Sequence, residues 1–399
     1  MNLFRSLTIL SIEQATTLPY MTLRFAQEGA RVIRVEAPPR GDPNRWVGTA
    51  VLPSNDPSSY EQGMNAYFLP NNLGKQSITL NLRSEAGRNL LHRLVRELPV
   101  DIFATNQRPG SYEKLGIDFA TLSRIKPDLI WVGITGFGPQ SNEAAYDPIL
   151  QARAGLMALT GEPDASPMVF GLPMVDLGAG EHAYGQVMKA LYQRAVVGKG
   201  SRVDISMLQS AVSWMISPVM LWHSFDIPST RHGNTHQFFA PVSVYPTRDG
   251  FVYLAVGNDR QWQAITELPG FTHLARPDYA QNAGRIEAVQ GLNAAITAVT
   301  SKKNTADLIT QFNQIGVPIS RVNQLPDVCA DPLIADNLVY AHDAHSQTKI
   351  AISPPPVIPE FLREQQMELS FPPRLGEHNE RLFGGIGCDV SALQAEGVI

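Results

Sequence analysis

Cysteine is scarce in this chain, with only Cys329 and Cys388 among 399 residues. Two cysteines so far apart form neither a disulfide framework nor the spacing of a zinc site. We therefore predict a cytoplasmic protein that keeps its thiols reduced and has no metal site.

Charge and long apolar runs are limited as well. Charged residues make up 17% of the chain and the formal net charge is −5, so no strongly basic surface points to nucleic acid. No run of about 18 apolar residues is long enough to span a bilayer. The first residues lack the apolar core of a signal peptide. These features predict small-molecule partners, without nucleic acid or a membrane.

The pattern that is present is an alternation of strands and helices. Short apolar runs near residues 7–12, 31–36, 75–82, 100–104 and 129–134 are separated by segments with helical spacing. Such alternation predicts an α/β fold, with an open, mostly parallel, Rossmann-like sheet and helices on both faces. A chain of this length exceeds a single core. Composition changes near residue 226, so we predict a large domain over 1–225 and a smaller α+β domain over 226–325.

Asp176 lies in the most informative stretch. It follows an apolar pair, precedes the small residues 178–180, and stands before a predicted helix over about 181–195. An acid in that position is typical of a helix N-cap. It can equally be a nucleophilic carboxylate, with glycines that let a thioester approach the backbone. The local pattern leaves both interpretations open.

Several ordered segments resemble the class III CoA-transferases, which include formyl-CoA transferase and carnitine CoA-transferase. The resemblance covers residues 5–380, and each segment is weak alone. The segments are Gln14–Ala15, GARVIRVE (29–36), Gly41–Asp42, KQSITLNLR (75–83), NQRPG (106–110), KLG (114–116), GFG (136–138), Tyr146–Asp147, Asp176, GKGSRVDIS (198–206), TRDG (247–250) and LGEH (375–378).

The resemblance implies an architecture. The large domain is built from both ends of the chain, so residues 326–399 return to it. Two subunits form an interlocked homodimer in the family, and the long apolar segment 207–225 is a candidate for a buried or dimer-facing helix. Some relatives pair unlike subunits, which leaves open a non-catalytic subunit of a heteromer.

The resemblance also implies a mechanism. Asp176 matches the family's catalytic aspartate, which attacks an acyl-CoA and forms an anhydride and then an aspartyl-CoA thioester. CoA thioesters are then substrates, and no cofactor is bound permanently. Amides around 178–180 are expected to stabilise charge on the reacting carbonyl. The neighbouring pair Glu181–His182 either tunes Asp176 or begins a helix.

The family's binding residues carry over to matching positions of this chain. Basic side chains and free amides suit the phosphates of CoA. The predicted CoA-binding residues are Gln14, Ala15, Leu80, Asn81, Arg83, Asn106, Arg108 and Lys114. A substrate loop is predicted at Gly233, His236 and Gln237, although it holds fewer glycines than the family's mobile loop. The acyl pocket is expected to use the loop around Trp46, Tyr60 and Tyr67, and residues 237–239.

The main alternative function is that of an α-methylacyl-CoA racemase. Its proton transfer needs an acid/base pair. Members of that family carry a histidine just before the acid that matches Asp147 of this chain. This chain has Tyr146 there, and tyrosine is a weak base at neutral pH. The substitution favours transfer of CoA from an acyl-CoA, such as succinyl-CoA, to a carboxylic acid.

Overall fold

The computed structural model describes residues 3–52 and 63–399, and Tyr60 of the predicted acyl pocket lies outside them. Two compact units divide the chain. The first comprises residues up to Ala154, Gly171–Val219 and Pro332–Ile399, and the second comprises Gly155–Phe170 and Met220–Asp331. The predicted small domain, 226–325, falls within the second unit.

A six-stranded parallel sheet forms the first unit, in the order β3-β2-β1-β4-β5-β6. This order is that of a doubly wound α/β sheet, so the predicted fold class is confirmed. The chain order reverses between β1 and β4, where ligands of such sheets bind. The strands are β1 (Thr8–Ile12), β2 (Arg31–Glu36), β3 (Lys75–Thr79), β4 (Ile102–Thr105), β5 (Ile130–Thr135) and β6 (Arg202–Ser206).

Helices connect and cover these strands. They are α1 (Thr17–Gln27), α2 (Glu85–Glu97), α3 (Tyr112–Leu115), α4 (Phe119–Ile125), α5 (Asp147–Arg153), α7 (Met174–Val197) and α8 (Met207–Val212). Of the other helices in this part of the chain, α6 (Leu156–Leu159) belongs to the second unit, and the residues of α9 (Ile216–Phe225) are divided between the two units. Helix α2 shows how the sequence determines the start of a helix and its buried side. The Ser84 hydroxyl caps its start by accepting from the Gly87 amide at 3.0 Å, and its buried side, centred on Leu91 and Leu94, packs on the sheet.

The second unit has an antiparallel sheet of its own, β7 (Val242–Pro246), β8 (Phe251–Ala255) and β9 (Ile319–Arg321). The segment TRDG (247–250) forms the turn between its first two strands. The helices are α10 (Asp259–Thr266), α11 (Asn282–Glu287), α12 (Val289–Thr300), α13 (Thr305–Gln314) and α14 (Leu325–Ala330). A compact apolar core, centred on Trp262, Phe271 and Phe312, holds this unit together.

The C-terminal segment returns to the first unit. Its elements are α15 (Pro332–Ala335), β10 (Val339–His342), β11 (Lys349–Ile352), α16 (Glu360–Glu364), α17 (Asn379–Gly385) and α18 (Val390–Ala395). The Asn379 side chain accepts from the Thr79 amide at 2.9 Å and donates to the Thr79 hydroxyl at 2.7 Å. These bonds tie α17 to the edge strand β3, so the last part of the chain covers that edge.

Several predicted helix boundaries are wrong. The helix expected over 181–195 begins at Met174, and the single helix expected over 207–225 is two helices, α8 and α9. Within the described ranges 3–52 and 63–399, no helix combines the length and apolar character that crossing a membrane requires.

A buried network of charged groups lies where β1, β2 and β3 adjoin. Three cations, Arg34, Arg45 and Lys75, face three acids, Glu13, Glu36 and Asp42, and all six are at most 3% exposed. Buried charges are tolerated when they are paired and hydrogen-bonded. This set balances three positive charges against three negative ones.

Its contacts are short and geometrically specific. Arg45 binds Glu36 with two nitrogens, at 2.8 and 2.7 Å, and Arg34 binds Asp42 at 2.9 Å. Lys75 Nζ donates to Glu13 at 2.8 Å and to the Pro19 carbonyl, in α1, at 2.8 Å. The network thereby fixes the loops after β1 and β2, and the first turns of α1, to one another.

We predict that Lys75→Met strongly destabilises the first unit. The substitution leaves the buried Glu13 carboxylate without its closest cation, a loss that costs about 3–5 kcal/mol. Urea unfolding followed by circular dichroism measures the change. Lys126→Met is the matched control, because Lys126 forms a partly exposed pair with Asp128 that contributes less than about 1 kcal/mol. Equal losses in the two variants would contradict the prediction.

Candidate active site

Asp147 caps the helix that carries Asp176. The Asp147 carboxylate, from the start of α5, accepts from the amides of Val175 at 2.7 Å and Asp176 at 3.1 Å. Gln151 donates to its other oxygen at 2.6 Å. The N-cap residue of α7 is Pro173, which makes no side-chain cap. The capping interpretation of Asp176 is therefore wrong, because another carboxylate performs that role.

Residues 178–180 lie within α7, so their amides belong to the hydrogen-bonding pattern of the helix. The expectation that these amides stabilise charge on a substrate is wrong for this reason. The glycines serve close packing instead. A Cβ at Gly178 would lie 1.7 Å from the Trp214 ring, and a Cβ at Gly180 would lie 3.0 Å from the Thr17 carbonyl of α1.

The close approach of α1 to α7 brings Thr17 to Asp176. The Thr17 hydroxyl, whose residue is 4% exposed, donates to Oδ1 of Asp176. The pKa of Asp176 is raised to about 6. Burial is the largest cause of the rise and the nearby Asp147 charge adds to it, while the hydrogen bond from Thr17 acts in the opposite direction. At pH 7 the carboxylate is still mostly ionised, yet less stabilised than an exposed aspartate. Such a partly buried, perturbed acid is typical of a functional group.

Glu181 and His182 make other contacts. Glu181 accepts from the Tyr20 hydroxyl at 2.7 Å and from Arg24 at 2.9 Å. His182 pairs with the Ser210 hydroxyl at 2.7 Å. Both residues lie two turns inside α7, so neither begins the helix, and their side-chain hydrogen bonds go to residues other than Asp176.

A cavity of about 920 Å³ opens at the carboxyl ends of β1 to β4. Its volume is in the range of cofactor-sized sites. Five predicted CoA-binding residues line it, together with residues that the sequence analysis did not select, such as Arg88, Gln107 and Ser111. The five are Gln14, Leu80, Asn81, Arg83 and Lys114.

The acidic residues that line this cavity are paired with cations, whereas its basic residues are not paired with acids among the described residues. Its acidic lining residues, Glu13, Glu36 and Asp42, are all bound by the buried cations of the network. Within 3–52 and 63–399, its basic lining residues, Arg83, Arg88 and Lys114, form no ion pair. The cavity therefore favours an anion with several negative charges.

The remaining predicted CoA-binding residues border the cavity. Asn106 donates to the Gln14 carbonyl at 2.7 Å and accepts from the Gln14 amide at 3.1 Å, which clamps the loops after β1 and β4 together. Ala15 has a positive φ of 62°, and its amide donates to Asp42 at 3.1 Å. Arg108 is exposed and directly follows the lining residue Gln107.

The cavity and Asp176 are linked through α1. Thr17, which contacts Asp176, follows the lining residue Gln14 by three positions, so their Cα atoms are at most about 11 Å apart. A ligand anchored in the cavity thus has the nucleophile candidate within a short distance of its lining.

The predicted substrate loop belongs to the second unit. Gly233 has a φ of 59°, and its amide donates to the Gly161 carbonyl at 3.0 Å. His236 is exposed; its Nδ1 accepts from the Phe238 amide at 3.1 Å, and its ring lies 5.2 Å from that of Phe239. Gln237 lies between them and is partly buried. The turn at Gly233 is therefore held within its own unit.

Two residues of the site were missed as contacts of Asp176. Thr17 is 159 positions away in sequence, and no local pattern indicates its contact. Asp147 was selected only as a family match.

Tyr146 beside Asp147 is 74% exposed, and both Asp147 oxygens are occupied by the cap and by Gln151. This arrangement gives little support to an acid/base pair of the racemase kind.

Known proteins resemble this chain in sequence and in fold. The profile of CoA-transferase family III matches residues 5–379. The chain is 32% identical to succinate–glutarate CoA-transferase of Agrobacterium fabrum, over 93% of each chain. It is 32% identical to acetyl-CoA:oxalate CoA-transferase of Acetobacter aceti, over 79% of each. A CAIB/BAIF family protein of Brucella suis superposes with a TM-score of 0.81 and 30% identity, over 95% of this chain and 98% of that one.

We predict that Asp176→Asn stabilises the protein at pH 8. The pKa of Asp176 is raised from 3.8 to about 6, so ionisation of the folded protein above pH 6 costs about 3 kcal/mol that a neutral amide avoids. The gain should shrink as the pH falls from 7 towards 4, because the acid then becomes neutral in the folded state. Urea unfolding at several pH values measures it. A constant difference across this range would contradict the shift.

Proposed function

This chain belongs to CoA-transferase family III and is an enzyme that transfers coenzyme A, and on that premise we propose that Asp176 carries the transfer covalently. The observation that supports this proposal is the environment of its carboxylate. It is partly buried, is not used as a helix cap, and has a pKa raised to about 6 by burial. A carboxylate of that kind is reactive yet ionised at neutral pH.

The proposed reaction proceeds in two symmetrical halves. Asp176 attacks the thioester carbonyl, the C–S bond breaks, and a mixed anhydride and CoA thiolate form. The thiolate then attacks the aspartyl carbonyl, and the donor acid leaves as a carboxylate. An acceptor carboxylate reverses these steps on the aspartyl-CoA thioester, and the product acyl-CoA departs. Exclusion of water protects the anhydride from hydrolysis.

We predict that Asp176→Asn abolishes transfer, because its amide is a far weaker nucleophile than a carboxylate. Incubation of the wild type with an acyl-CoA alone should leave CoA attached at position 176, detected by peptide mass spectrometry. The kcat/KM for acyl-CoA should rise with pH through an inflection near 6, as the free carboxylate ionises. An unmodified protein that still forms product would contradict this mechanism.

The cavity of about 920 Å³ is proposed as the CoA site. Its three cations without an ion pair suit the phosphates of the nucleotide portion. Gln14 and Asn106 hold the loop that leads to α1, whose first residue, Thr17, contacts Asp176. The pantetheine arm then extends towards the start of α1. Ala15 and Arg108 border the same cavity and complete the proposed set.

We predict that Arg83→Ala and Lys114→Ala each raise KM for acyl-CoA about tenfold with little change in kcat. Each variant loses a charged contact to phosphate, which is distant from the reacting thioester. The difference should diminish at high salt. Arg96→Ala is the control, because Arg96 is an exposed cation on the same helix as Arg88 but does not line the cavity. Equal effects at 83, 114 and 96 would contradict the assignment.

A dicarboxylic acid is proposed as the acceptor and succinyl-CoA as a donor. Glutarate and oxalate are the acids in the names of the two relatives described above. The substrate loop at Gly233, His236 and Gln237 is proposed to contact the acyl group, with His236 as its polar side chain. A screen of donors and acceptors, with mass detection of acyl-CoA products, tests both assignments.

A second copy of the chain is proposed to complete the enzyme. Helix α9 is apolar, yet none of its residues is buried, and Ile216, Trp222 and Phe225 are 76%, 60% and 61% exposed. Exposed apolar surface of this extent is typical of a subunit interface. The interlocked homodimer of the family provides such a cover. Sedimentation of the purified chain as a 43.7 kDa species would contradict it.

A further inference from the structure

We infer that Thr17 is a second catalytic residue, whose hydroxyl stabilises negative charge on Oδ1 of Asp176 while CoA thiolate attacks the aspartyl carbonyl. Among the described residues it is the side chain that donates a hydrogen bond to this carboxylate. The inference rests on the covalent chemistry proposed for Asp176 and adds a group to it.

The chemistry needs a donor at this oxygen. When Oδ2 attacks the thioester, Oδ1 becomes the carbonyl oxygen of the aspartyl half of the anhydride. Thiolate attack on the acyl carbon would only restore the donor, whereas attack on Cγ of Asp176 leads forward. In that attack an electron pair moves onto Oδ1, and it returns when the C–O bond to the donor acid breaks. The acid leaves as a carboxylate, so no proton is transferred.

The backbone of α7 is not available for this task. The amides of Val175 and Asp176 donate to Asp147. The Leu177 amide donates to the Pro173 carbonyl at 3.0 Å, and the Met174 amide to the Leu172 carbonyl at 2.8 Å. Since the first-turn amides are all engaged, the helix supplies only its dipole. The Thr17 hydroxyl is the donor that is directed at Oδ1.

Thr17 is held in position by its surroundings. It is the first residue of α1, is 4% exposed, and has a β-branched side chain with few rotamers. The Thr17 hydroxyl also lies 3.8 Å from the Met207 sulfur, but a thioether sulfur is a weak hydrogen-bond acceptor. The absence of a side chain at Gly180 lets this turn of α1 contact α7. A donor fixed before the reaction needs no rearrangement when charge develops.

The test compares Thr17→Val, which removes the hydroxyl at constant shape, with Thr17→Ser, which keeps it. Loss of one such donor lowers the rate about 10²–10³-fold. For the valine variant we expect a decrease of this size in kcat and in the rate at which the CoA adduct forms at Asp176. The serine variant should recover most of the rate. The pH inflection of kcat/KM should also move upward in the valine variant, because the hydrogen bond lowers the pKa of Asp176.

Thr8→Val is the matched control. It makes the same change at a buried threonine at the opposite end of β1, and it should retain activity. Circular dichroism checks folding, and Thr17→Ala replaces the valine variant if valine prevents folding. Adduct formation at the wild-type rate without the hydroxyl, in a chain whose Asp176→Asn variant forms none, would overturn this inference alone. Product without an adduct in the wild type would overturn the proposed function itself.

Discussion

The buried network of three cations and three acids is the constraint on which the first unit depends. It lies where β1, β2 and β3 adjoin and fixes loops that line the cavity. The arginines and the lysine neutralise the three acids of the cavity lining. In the described part of the chain, the charged lining residues that form no ion pair are therefore all positive. A structural set of ion pairs therefore determines the electrostatic character of the proposed binding site. Buried ion pairs are weak sources of stability, but here their hydrogen bonds hold the loops after β1 and β2 and the first turn of α1 together.

Asp176 shows the opposite arrangement, because no cation pairs with its carboxylate among the described residues and burial makes the charged form less stable. Its helix is capped by Asp147, so the positive end of the helix dipole is shared with another carboxylate. Burial and that neighbouring charge raise its pKa to about 6, while the Thr17 hydroxyl opposes the rise. The group stays ionised at pH 7 but is less stable than an exposed aspartate. A less stable ground state suits the nucleophilic role proposed for Asp176, and such functional sites commonly reduce the stability of the protein.

The sequence predicted what depends on local periodicity. The parallel sheet and the strands of the first 135 residues follow from apolar runs, and the structure agrees with them. It did not predict contacts between distant segments. The start of α7 was misplaced because its cap comes from Asp147, 29 positions earlier than Asp176. The predicted helix left out the glycines at 178 and 180, because their role in close packing depends on Trp214 and on α1, which are distant in sequence.

Helix α1 joins the two halves of the proposed site. Its preceding loop lines the cavity at Gln14, its first residue contacts Asp176, and its first turn accepts the Lys75 hydrogen bond at the Pro19 carbonyl. A shift of this helix would move the binding loop and the nucleophile's donor together. Because Gly180 permits the close contact with α7 and the buried network fixes the other side, the helix is constrained from both directions. Such rigid support is what positions reacting groups within the tolerance that catalysis requires.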